Sequence, residues 1–462
     1  MNSKINKDVY FSALFVIVAL IISGFFLMAT YNHPLLGDES GYEILGWNIV
    51  SGHGYSLSLS APYESTALRE PIYPLFIALI YKIFGRQHLF IYIGQISIFC
   101  LSCILIFKIY KELVELKTAK YSAFLTSVCP TLSSYSVILY SENLFIFLLC
   151  LTIYLTVIAK KTGNVKWFIA TGVSMGLVVL TKTIMIFSPI FIVVFFFLGR
   201  NKKFKLASYT ANIVLTIFLF AVTLAPWILR NYRLFDTMNL SSSRAEIILL
   251  SRALKTDYSM KKIKTAYVYG FSEYLGSKFF PGAIEKSRDF LLDDDHAAFK
   301  MEKNLLGQGY TQKEASSILK KEAIAKIKKH PIKYILQTPF EFFKMMSFMH
   351  IPLLNEINII NKFKDINGGL IILSGIKGIY KAIGYFIIFL AIIGIYIKRK
   401  EWIQHFIPLA LILYINLFHS LLYGYARYSV PLIPFYFMYM VIGIFAISNN
   451  FKLRFLKIKG NE

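Results

Sequence analysis

Long apolar runs constrain the fold of this chain more than any other feature. A helix needs about 20 predominantly apolar residues to cross a bilayer. The candidate runs are 10–30, 89–107, 121–139, 143–159, 167–182, 184–198, 206–227, 376–397, 403–422 and 430–448. Of the 462 residues, 56% are hydrophobic, which is more apolar surface than a soluble domain can bury. We therefore predict an all-α, polytopic integral membrane protein with about ten transmembrane helices.

A few apolar runs are too short to be simple spans. The fifth and sixth runs are separated by little more than Lys182 and Thr183, so they are compatible with one kinked hairpin or with a tight outer turn. Another run, from Pro71 to Phe84, has only about 14 residues and contains a second proline. That length favours an interfacial helix in the first outer loop rather than a span.

Basic residues predict the orientation of the spans. Six clusters hold 20 of the 50 Lys and Arg residues: Lys4 and Lys7, 108–120, 160–166, 200–205, 398–400 and 452–459. The alternate short segments hold only Arg69, Lys82, Arg86, Lys182 and Arg427. The positive-inside rule then places both termini in the cytoplasm and segments 31–87 and 228–375 outside. The net charge of +24 is thus explained by topology, and no basic, aromatic-rich soluble domain indicates a nucleic-acid partner.

Three units follow from this topology. Residues 1–227 form an N-terminal transmembrane module, 228–375 a large extracytoplasmic helical segment, and 376–462 a C-terminal module with a basic cytoplasmic tail. Within the outer segment, Thr311 and Glu314 have the spacing of a capping box and predict a helix that continues to Lys329. After a break at Pro331, the next helix has an apolar, aromatic face suited to the membrane surface.

Two adjacent carboxylates, Asp38 and Glu39, follow the first span directly. Carboxylates at the mouth of a membrane helix are costly unless they bind or catalyse something. They are candidates for a general base, alone or with a divalent metal ion shared between them. The alternative is structural, with Asp38 as the N-cap of a helix over 40–50 and Glu39 favoured by its dipole. Glu142 has a similar structural explanation, because it begins the fourth span.

Three basic residues are candidates for binding an anion on the same side. Lys182 interrupts an apolar stretch, where it either snorkels to water or offers its charge to a phosphate. Arg230, next to Asn231, is either an interfacial anchor or a bidentate phosphate ligand that Asn231 orients. Arg427 lies in a short outer turn where few positive charges are expected, and it is likewise placed to bind a phosphate.

Other common sites are missing from the sequence. His330, His350 and His419 have no partner at i+4 and no cysteine companion, so no metal cage is indicated. The stretch Gly37–Gly41 lacks the Gly-Lys-Ser/Thr of a phosphate loop. No nucleotide cofactor is therefore expected.

Several short motifs, spread from the first span to the last, resemble those of a known family. They are Gly37-Asp38-Glu39-Ser40-Gly41-Tyr42, Gly52-His53-Gly54-Tyr55-Ser56, Arg69-Glu70-Pro71-Ile72-Tyr73-Pro74-Leu75-Phe76, Ser141-Glu142-Asn143, Leu180-Thr181-Lys182, Pro226-Trp227-Ile228-Leu229-Arg230-Asn231-Tyr232 and Ala426-Arg427-Tyr428-Ser429-Val430-Pro431. In order and spacing the chain resembles GT-C fold glycosyltransferases, in particular the bacterial family related to dolichyl-phosphate-mannose protein mannosyltransferases and lipid A aminoarabinose transferases.

This resemblance implies an inverting glycosyltransferase in the cell inner membrane with an extracytoplasmic active site. Its donor would be a sugar linked to a polyprenyl phosphate, and its acceptor a glycan, lipid or protein. Asp38 matches the catalytic acidic position, and the phosphate-binding role falls to the three basic candidates above. The remaining candidates for substrate binding are Glu70, Tyr73, Glu142, Asn231 and Tyr428. Glu70 is a departure, because relatives more often have a second proline before the Tyr-Pro.

Two other classes remain as alternatives. A secondary transporter or lipid flippase would keep polar residues near the bilayer midplane and broken helices in paired halves. Here the middle parts of the spans are almost free of charge, and the polar residues gather at one face. An O-antigen polymerase or ligase would carry its key Arg and His in the large outer loop rather than an acid after the first span.

Overall fold

The computed structural model describes residues 2–459 except 32, 36, 242–243, 282–296, 356–362 and 364. Helices dominate the described residues, and their only extended pairing is an isolated antiparallel bridge between Ser56 and Ser65. The predicted all-α class is therefore confirmed.

The N-terminal half carries the first ten helices. They are α1 (Asn2–Thr30), α2 (Asp38–Val50), α3 (Ile72–Phe84), α4 (His88–Leu113), α5 (Leu116–Ser127), α6 (Pro130–Tyr135), α7 (Glu142–Thr162), α8 (Val165–Val179), α9 (Ser188–Phe197) and α10 (Leu206–Phe235). A 3-10 helix, Thr183–Phe187, leads into α9. The α2 and α3 helices belong to the first connection, between α1 and α4.

The second half begins with segment 228–375 and returns to long apolar helices. Its helices are α11 (Arg244–Leu254), α12 (Met260–Phe271), α13 (Glu273–Phe279), α14 (Gln312–Lys329), α15 (Pro331–Met346), α16 (Gly369–Ile397), α17 (Phe406–Leu422) and α18 (Ile433–Lys459). Residues 297–307 are also helical. A 3-10 helix, Ala426–Leu432, precedes α18. The capping box predicted for α14 is confirmed, because the Thr311 and Glu314 side chains each bond to the other residue's backbone N–H.

Six stretches of helix are long and apolar enough to cross a membrane. They are Lys7–Thr30, His88–Leu113, Glu142–Thr162, Leu206–Phe235, Ile371–Glu401 and Ala426–Ser448. Four shorter apolar helices are Ile72–Phe84, Val165–Val179, Thr183–Phe197 and Phe406–Leu422. These helices coincide with nine of the ten predicted runs and with the short helix after Pro71, which supports the expected polytopic organisation.

The prediction of one continuous span over 121–139 is wrong. The helix α5 ends at Ser127, and α6 begins at Pro130 after an extended residue, Cys129. Proline fits the first turn of a helix and cannot donate to the preceding turn, so Pro130 favours the start of a new helix over the continuation of α5. Polar side chains also lie beside the break, where Ser127 and Ser133 are fully buried.

Close helix contacts fix the elements around the first connection. A Cβ atom on Gly46 would lie 2.3 Å from a methyl carbon of Ile77, so the crossing of α2 and α3 requires glycine at that point. Glu43, on the same helix, accepts hydrogen bonds from Nε of Arg86 (2.7 Å) and from the hydroxyl of Tyr81 (3.1 Å). Together these contacts clamp α2 onto α3 and onto the loop that follows it.

The described residues of segment 228–375 include a small core of their own. The buried residues Ile247 and Leu250 of α11 pack with Leu319 and Ala323 of α14. This cluster is separate from the large core formed by the apolar helices. The α15 helix, which follows α14, instead contacts α17 and the 3-10 helix over 426–432.

Candidate active site

Asp38 is the first residue of α2 and lies between two arginines. The Nη1 atom of Arg427 is 2.6 Å from Oδ2 of Asp38, and Nη2 of Arg69 forms an ion pair with Oδ1. The N-cap of this helix is Gly37, with no side-chain capping bond. The structural alternative, in which Asp38 caps a helix over 40–50, is therefore wrong, because its carboxylate contacts distant arginines rather than its own helix.

The basic neighbours of Asp38 keep its carboxyl group ionised. Burial raises the pKa of this carboxyl, but Arg427 and Arg69 lower it by more, so the net pKa lies well below its ordinary value. Arg244, at the start of α11, contributes a further positive charge to the same effect. Asp38 is consequently ionised, but its oxygens are engaged and cannot accept a proton readily until a guanidinium group moves.

A second buried carboxylate, Glu142, joins the same network. Nζ of Lys182 lies 2.6 Å from Oε1 of Glu142, and Nε of Arg427 lies 3.8 Å from that oxygen. Arg427 therefore bridges the carboxylates of Asp38 and Glu142. Lys182 does not simply snorkel to water, because its ammonium group is paired with a side chain that is 3% exposed. Four chain segments far apart in sequence thus meet in one cluster of charges.

Arg69 was not among the candidates predicted from the sequence. Its guanidinium carbon lies 5.1 Å from the centre of the Tyr42 ring, and its Nη1 atom is buried without a hydrogen-bond partner. Nε of Arg427 is buried in the same condition. One signal could have found Arg69, since it is among the few basic residues of the outer short segments. Three of those five basic residues, Arg69, Lys182 and Arg427, meet in this cluster.

Glu39 has a different environment from Asp38. Its Oε1 atom accepts a hydrogen bond from the backbone N–H of Leu139 at 2.9 Å and lies 3.1 Å from Nε2 of His33. The other ring nitrogen of His33 lies 2.8 Å from the carbonyl oxygen of Thr30. Buried in these contacts, Glu39 ties α2 to the end of α1 and to the segment that leads into Glu142. This geometry favours a positioning role over the predicted catalytic one.

Arg230 lies beside the charged cluster, on α10. Its Nη1 atom donates to Oδ1 of Asn231 at 2.8 Å, and its guanidinium carbon lies 4.5 Å from the ring centre of Trp227 and 5.2 Å from that of Tyr55. The Tyr55 hydroxyl in turn donates to the carbonyl oxygen of Arg69 at 3.0 Å. Within the described part of the chain, no carboxylate pairs with Arg230. Its positive charge is thus available at the edge of the site.

The remaining substrate-binding candidates have structural contacts. Oε1 of Glu70 accepts a hydrogen bond from the Thr183 hydroxyl at 2.6 Å, which fastens the first connection to the turn that carries Lys182. Tyr73 is fully buried, and its hydroxyl donates to Gln95 at 2.9 Å. Tyr428 stacks on a histidine ring at a centroid distance of 4.1 Å. Of the three, only Tyr428 contacts the charged cluster, through the guanidinium of Arg427.

Asp38 and Glu39 do not fit a shared divalent cation in this arrangement. Both oxygens of Asp38 contact guanidinium groups, and Glu39 is engaged by His33 and Leu139. A metal ion would have to displace those cations, which repel it. Among the described residues, no group of three His, Cys, Asp or Glu side chains is placed to hold a metal. We therefore derive no step through a metal ion.

A small apolar cavity lies between α7, α8, α9 and α17. Its lining includes Leu149, Met175, Met185, Phe191 and Leu411. Leu149 is seven residues along α7 from Glu142, which corresponds to about 10 Å of helix. Met185 is three residues beyond Lys182. The cavity therefore lies close beneath the charged cluster, among the membrane helices.

Part of the chain is similar to a known family. Residues 68–228 match the family described as dolichyl-phosphate-mannose-protein mannosyltransferase. The matched region, roughly a third of the chain, includes Arg69, Glu142 and Lys182 and excludes Asp38, Arg230 and Arg427. Among curated protein sequences, none is significantly similar to this chain.

Solved structures share the fold. The archaeal oligosaccharyltransferase AglB from Archaeoglobus fulgidus, in complex with an inhibitory peptide and a dolichol-phosphate, matches with a TM-score of 0.51 at 12% identity, over 98% of this chain and 52% of that one. The apo form matches with a TM-score of 0.54 at 13% identity, over 97% and 52%. A complex with Zn and sulfate gives 0.51 at 13%, over 95% and 50%.

These matches establish the fold of this chain. At 12–13% identity they do not carry over an activity, and the chain spans about half the length of the structures it matches. Together with the family match, they confirm the resemblance to GT-C fold glycosyltransferases predicted from the sequence motifs.

Proposed function

We propose that this protein is a membrane glycosyltransferase that moves a sugar from a polyprenyl-phosphate carrier to an acceptor on the extracytoplasmic face, with inversion at the anomeric carbon. One observation carries the proposal: a carboxylate, Asp38, lies in a single cluster with Arg69, Arg427 and Lys182, above an apolar cavity. Such a transfer requires an acid, cations that bind phosphate, and apolar surroundings for a lipid chain. The resemblance to the mannosyltransferase family supports the same class of chemistry.

The charge of the cluster fits a phosphodiester donor. Arg69, Arg427 and Lys182 contribute three positive charges, and Asp38 and Glu142 contribute two negative ones. The single negative charge of a sugar–phosphate–lipid diester would balance the remaining positive charge. Two guanidinium nitrogens, Nη1 of Arg69 and Nε of Arg427, are buried without a hydrogen-bond partner and are available as donors to phosphate oxygens. Arg230 offers a further cation at the rim.

The lipid chain would pass between the apolar helices that line this small cavity, and these helices would have to move apart to admit it. A phosphate bound between Lys182 and Arg427 would lie about 10 Å above Leu149, and the first isoprene units would descend between α7, α8 and α17. Burial of apolar surface contributes about 0.8 kcal/mol per CH₂ group. The AglB structure that contains a dolichol-phosphate is consistent with a carrier of this kind.

Asp38 would act as the general base. A donor phosphate competes with Asp38 for Arg427 and Arg69, which releases the carboxylate next to the bound donor. Asp38 then removes the proton from the acceptor hydroxyl or amine, whose oxygen or nitrogen attacks the anomeric carbon from the face opposite the phosphate. The bond from that carbon to the phosphate oxygen breaks, and its electron pair remains on the polyprenyl phosphate. The arginines and Lys182 stabilise the charge that develops on this leaving group.

The donor requirement is directly testable. Purified protein in lipid nanodiscs is offered either a synthetic polyprenyl-monophosphate sugar or the matching nucleotide sugar. The source of acceptor in each case is cell-envelope extract that has been heated to inactivate its enzymes and cleared of polyprenyl phosphate. We expect release of polyprenyl phosphate from the first donor and no sugar transfer from the second. Transfer from a nucleotide sugar in the absence of any lipid carrier would overturn the proposal. In a separate experiment, glycan analysis of a deletion strain would identify the sugar and the acceptor together.

A further inference from the structure

The α15 helix has its apolar side outward. Ile332, Ile335, Leu336, Phe342 and Phe343 are between 36% and 72% exposed. Their spacing of three and four residues places them on one face of the helix. A helix of a soluble domain would bury such a face in the core and expose its polar residues. Here the rest of the protein covers the polar residues Gln337 and Glu341, whereas Lys333, near the start of the helix, is exposed.

The covered polar face has specific partners. Arg252, which is fully buried, donates from Nη1 to Oε1 of Gln337 at 2.9 Å and from Nη2 to the carbonyl oxygen of Tyr334 at 2.7 Å. Lys255 Nζ lies 2.8 Å from Oε1 of Glu341. These contacts fix the rotation of α15 about its axis, so the exposed apolar face is a consequence of satisfied polar bonds on the opposite side.

Two hydrogen bonds to membrane helices fix the level of α15. The Tyr385 hydroxyl of α16 donates to the carbonyl oxygen of Phe343 at 2.7 Å, and the Tyr334 hydroxyl bonds to the carbonyl oxygen of Leu421 on α17. Tyr385 is twelve residues from the basic end of α16 at Ile397, which is about 18 Å of helix. Leu421 is fifteen residues from the same end of the bundle, which is about 22 Å of α17.

Both levels fall within a hydrocarbon core of about 30 Å. They differ by only about 4 Å, whereas the nine residues between Tyr334 and Phe343 span about 13 Å of helix. The α15 helix therefore runs nearly parallel to the membrane plane, below the surface of the leaflet on the side of the charged cluster. Its apolar face continues the exposed surface of α17, where Leu413, Leu417 and Leu421 are also exposed.

We infer that α15 lies in the hydrocarbon of this leaflet and that lipid acyl chains cover Ile332, Ile335, Leu336 and Phe343. Part of the outer segment is then a membrane-embedded helix rather than part of an aqueous domain. On its other side, α15 is covered by Arg252 and Lys255, which bond to its polar groups.

The embedded helix also holds a residue of the candidate active site. Oε2 of Glu341 accepts the backbone N–H of Gly424 at 2.9 Å, and the Ser429 hydroxyl donates to the carbonyl oxygen of Met345 at 2.5 Å. Gly424 and Ser429 flank Arg427, which contacts Asp38. The position of α15 in the bilayer thus sets the position of Arg427.

Photo-crosslinking in the full-length protein tests this placement. A diazirine analogue of leucine is incorporated at Ile335 or Leu336, and at Lys320 on the exposed polar side of α14 as the control. The protein is reconstituted in phosphatidylglycerol–phosphatidylethanolamine nanodiscs and irradiated, and the adducts are identified by mass spectrometry. The analogue at Ile335 or Leu336 is close in size to the native residue, so the fold is preserved.

We expect acyl-chain adducts at Ile335 and Leu336 and water addition at Lys320. Water addition at Ile335 and Leu336 would overturn the inference, and so would crosslinks from these positions to a second copy of the chain or to an added protein. As a second measurement, a nitroxide at Ile332 should collide more with oxygen than with a water-soluble nickel chelate. The reverse order would contradict the embedded position.

Discussion

Asp38 is the residue on which the proposed chemistry depends most. Asn keeps the size of the side chain but removes the basic oxygen, and Gly37 rather than Asp38 caps the helix, so no capping bond is lost. We expect kcat of the Asp38→Asn variant to fall by about 10²–10⁴-fold. Donor KM should not rise, because Arg69 and Arg427 lose a competing carboxylate. Turnover and donor KM are measured in nanodiscs with a polyprenyl-monophosphate sugar.

A matched control comes from the same helix. Glu43 is also a buried carboxylate paired with an arginine, Arg86, but it contacts neither Arg69 nor Arg427. Glu43→Gln should leave kcat near its original value if the protein remains folded. Near-normal kcat in Asp38→Asn, or an equal loss in both variants, would count against Asp38 as the base.

Arg69 should recognise the donor phosphate through the geometry of its guanidinium group. Arg69→Lys keeps the charge but cannot reach Asp38 and a phosphate oxygen with separate nitrogens. A hydrogen bond to a charged group is worth about 1.5–3 kcal/mol, so kcat/KM for the donor should fall by roughly 10–100-fold. Steady-state kinetics measure this, with Arg86→Lys, on the Glu43 clamp, as the matched control. An unchanged kcat/KM in Arg69→Lys would show that the guanidinium group of Arg69 does not recognise the donor phosphate.

At the residue scale, sequence reasoning found the charges but not their pairing. Asp38, Lys182 and Arg427 could be selected because each lies in a short segment on the side that carries few basic residues. Arg69 and His33 were missed because their roles depend on contacts with Asp38 and Glu39, which only the folded chain defines. Glu70 attracted attention as a departure from the family pattern, yet it bonds to Thr183 and fastens two segments together.

At the scale of elements, the packing of α2 against α3 should depend on pH. Burial raises the pKa of Glu43, but His88 and Arg86 lower it by more, to about 2. Because this folded pKa lies below the ordinary value of 4.5, the clamp contributes its full stability above pH 4.5 and loses it as the pH falls towards 2. Hydrogen exchange of α2 and α3 amides in nanodiscs, measured between pH 6 and pH 3, should show faster opening at the acidic end.

The Glu43→Gln variant separates this effect from other titrating groups. It should exchange faster than the original protein at pH 6 and should change less between pH 6 and pH 3, because the titrating group is gone. Identical pH dependence in the two proteins would show that Glu43 does not control the stability of these helices.

Helix prediction succeeded where apolar residues dominate and failed where small polar residues interrupt them. Six long spans and three shorter apolar helices follow the predicted runs closely. The run over 121–139 was misjudged because cysteine, serine and threonine do not lower its apolar character enough, whereas Pro130 ends the possibility of one helix. For α15, the sequence predicted an apolar face suited to the membrane surface, but not the polar contacts that fix the opposite face against Arg252 and Lys255.

At the scale of the whole molecule, the fold brings together residues from the first connection, the α7 and α8 ends and the turn before α18. The sequence predicts that these segments share one membrane face, because the basic clusters alternate with them. It does not predict that they touch. That outcome depends on helix packing, for example on Gly394 and Gly443, where a Cβ would lie 1.9 Å and 2.4 Å from carbonyl oxygens of the facing helix.

The membrane orientation is the remaining prediction at this scale. We expect the outer segment, the charged cluster and residue 300 on the extracytoplasmic side, and the basic loop 200–205 in the cytoplasm. Lys300 and Lys202 are both exposed and carry no ion pair among the described contacts, so cysteine at either position should be tolerated. The four native cysteines are buried in the fold and should not react with a charged reagent.

A membrane-impermeant maleimide applied to intact cells distinguishes the two sides. Lys300→Cys should be labelled without permeabilisation, whereas Lys202→Cys should be labelled only after the membrane is opened. Short segments rich in basic residues, such as 200–205, are retained on the cytoplasmic side during insertion. Long segments such as 228–375 cross the membrane regardless of charge. The reverse pattern would place Asp38 and its arginines in the cytoplasm, where nucleotide-activated donors are available, and would remove the main reason for a lipid-linked donor.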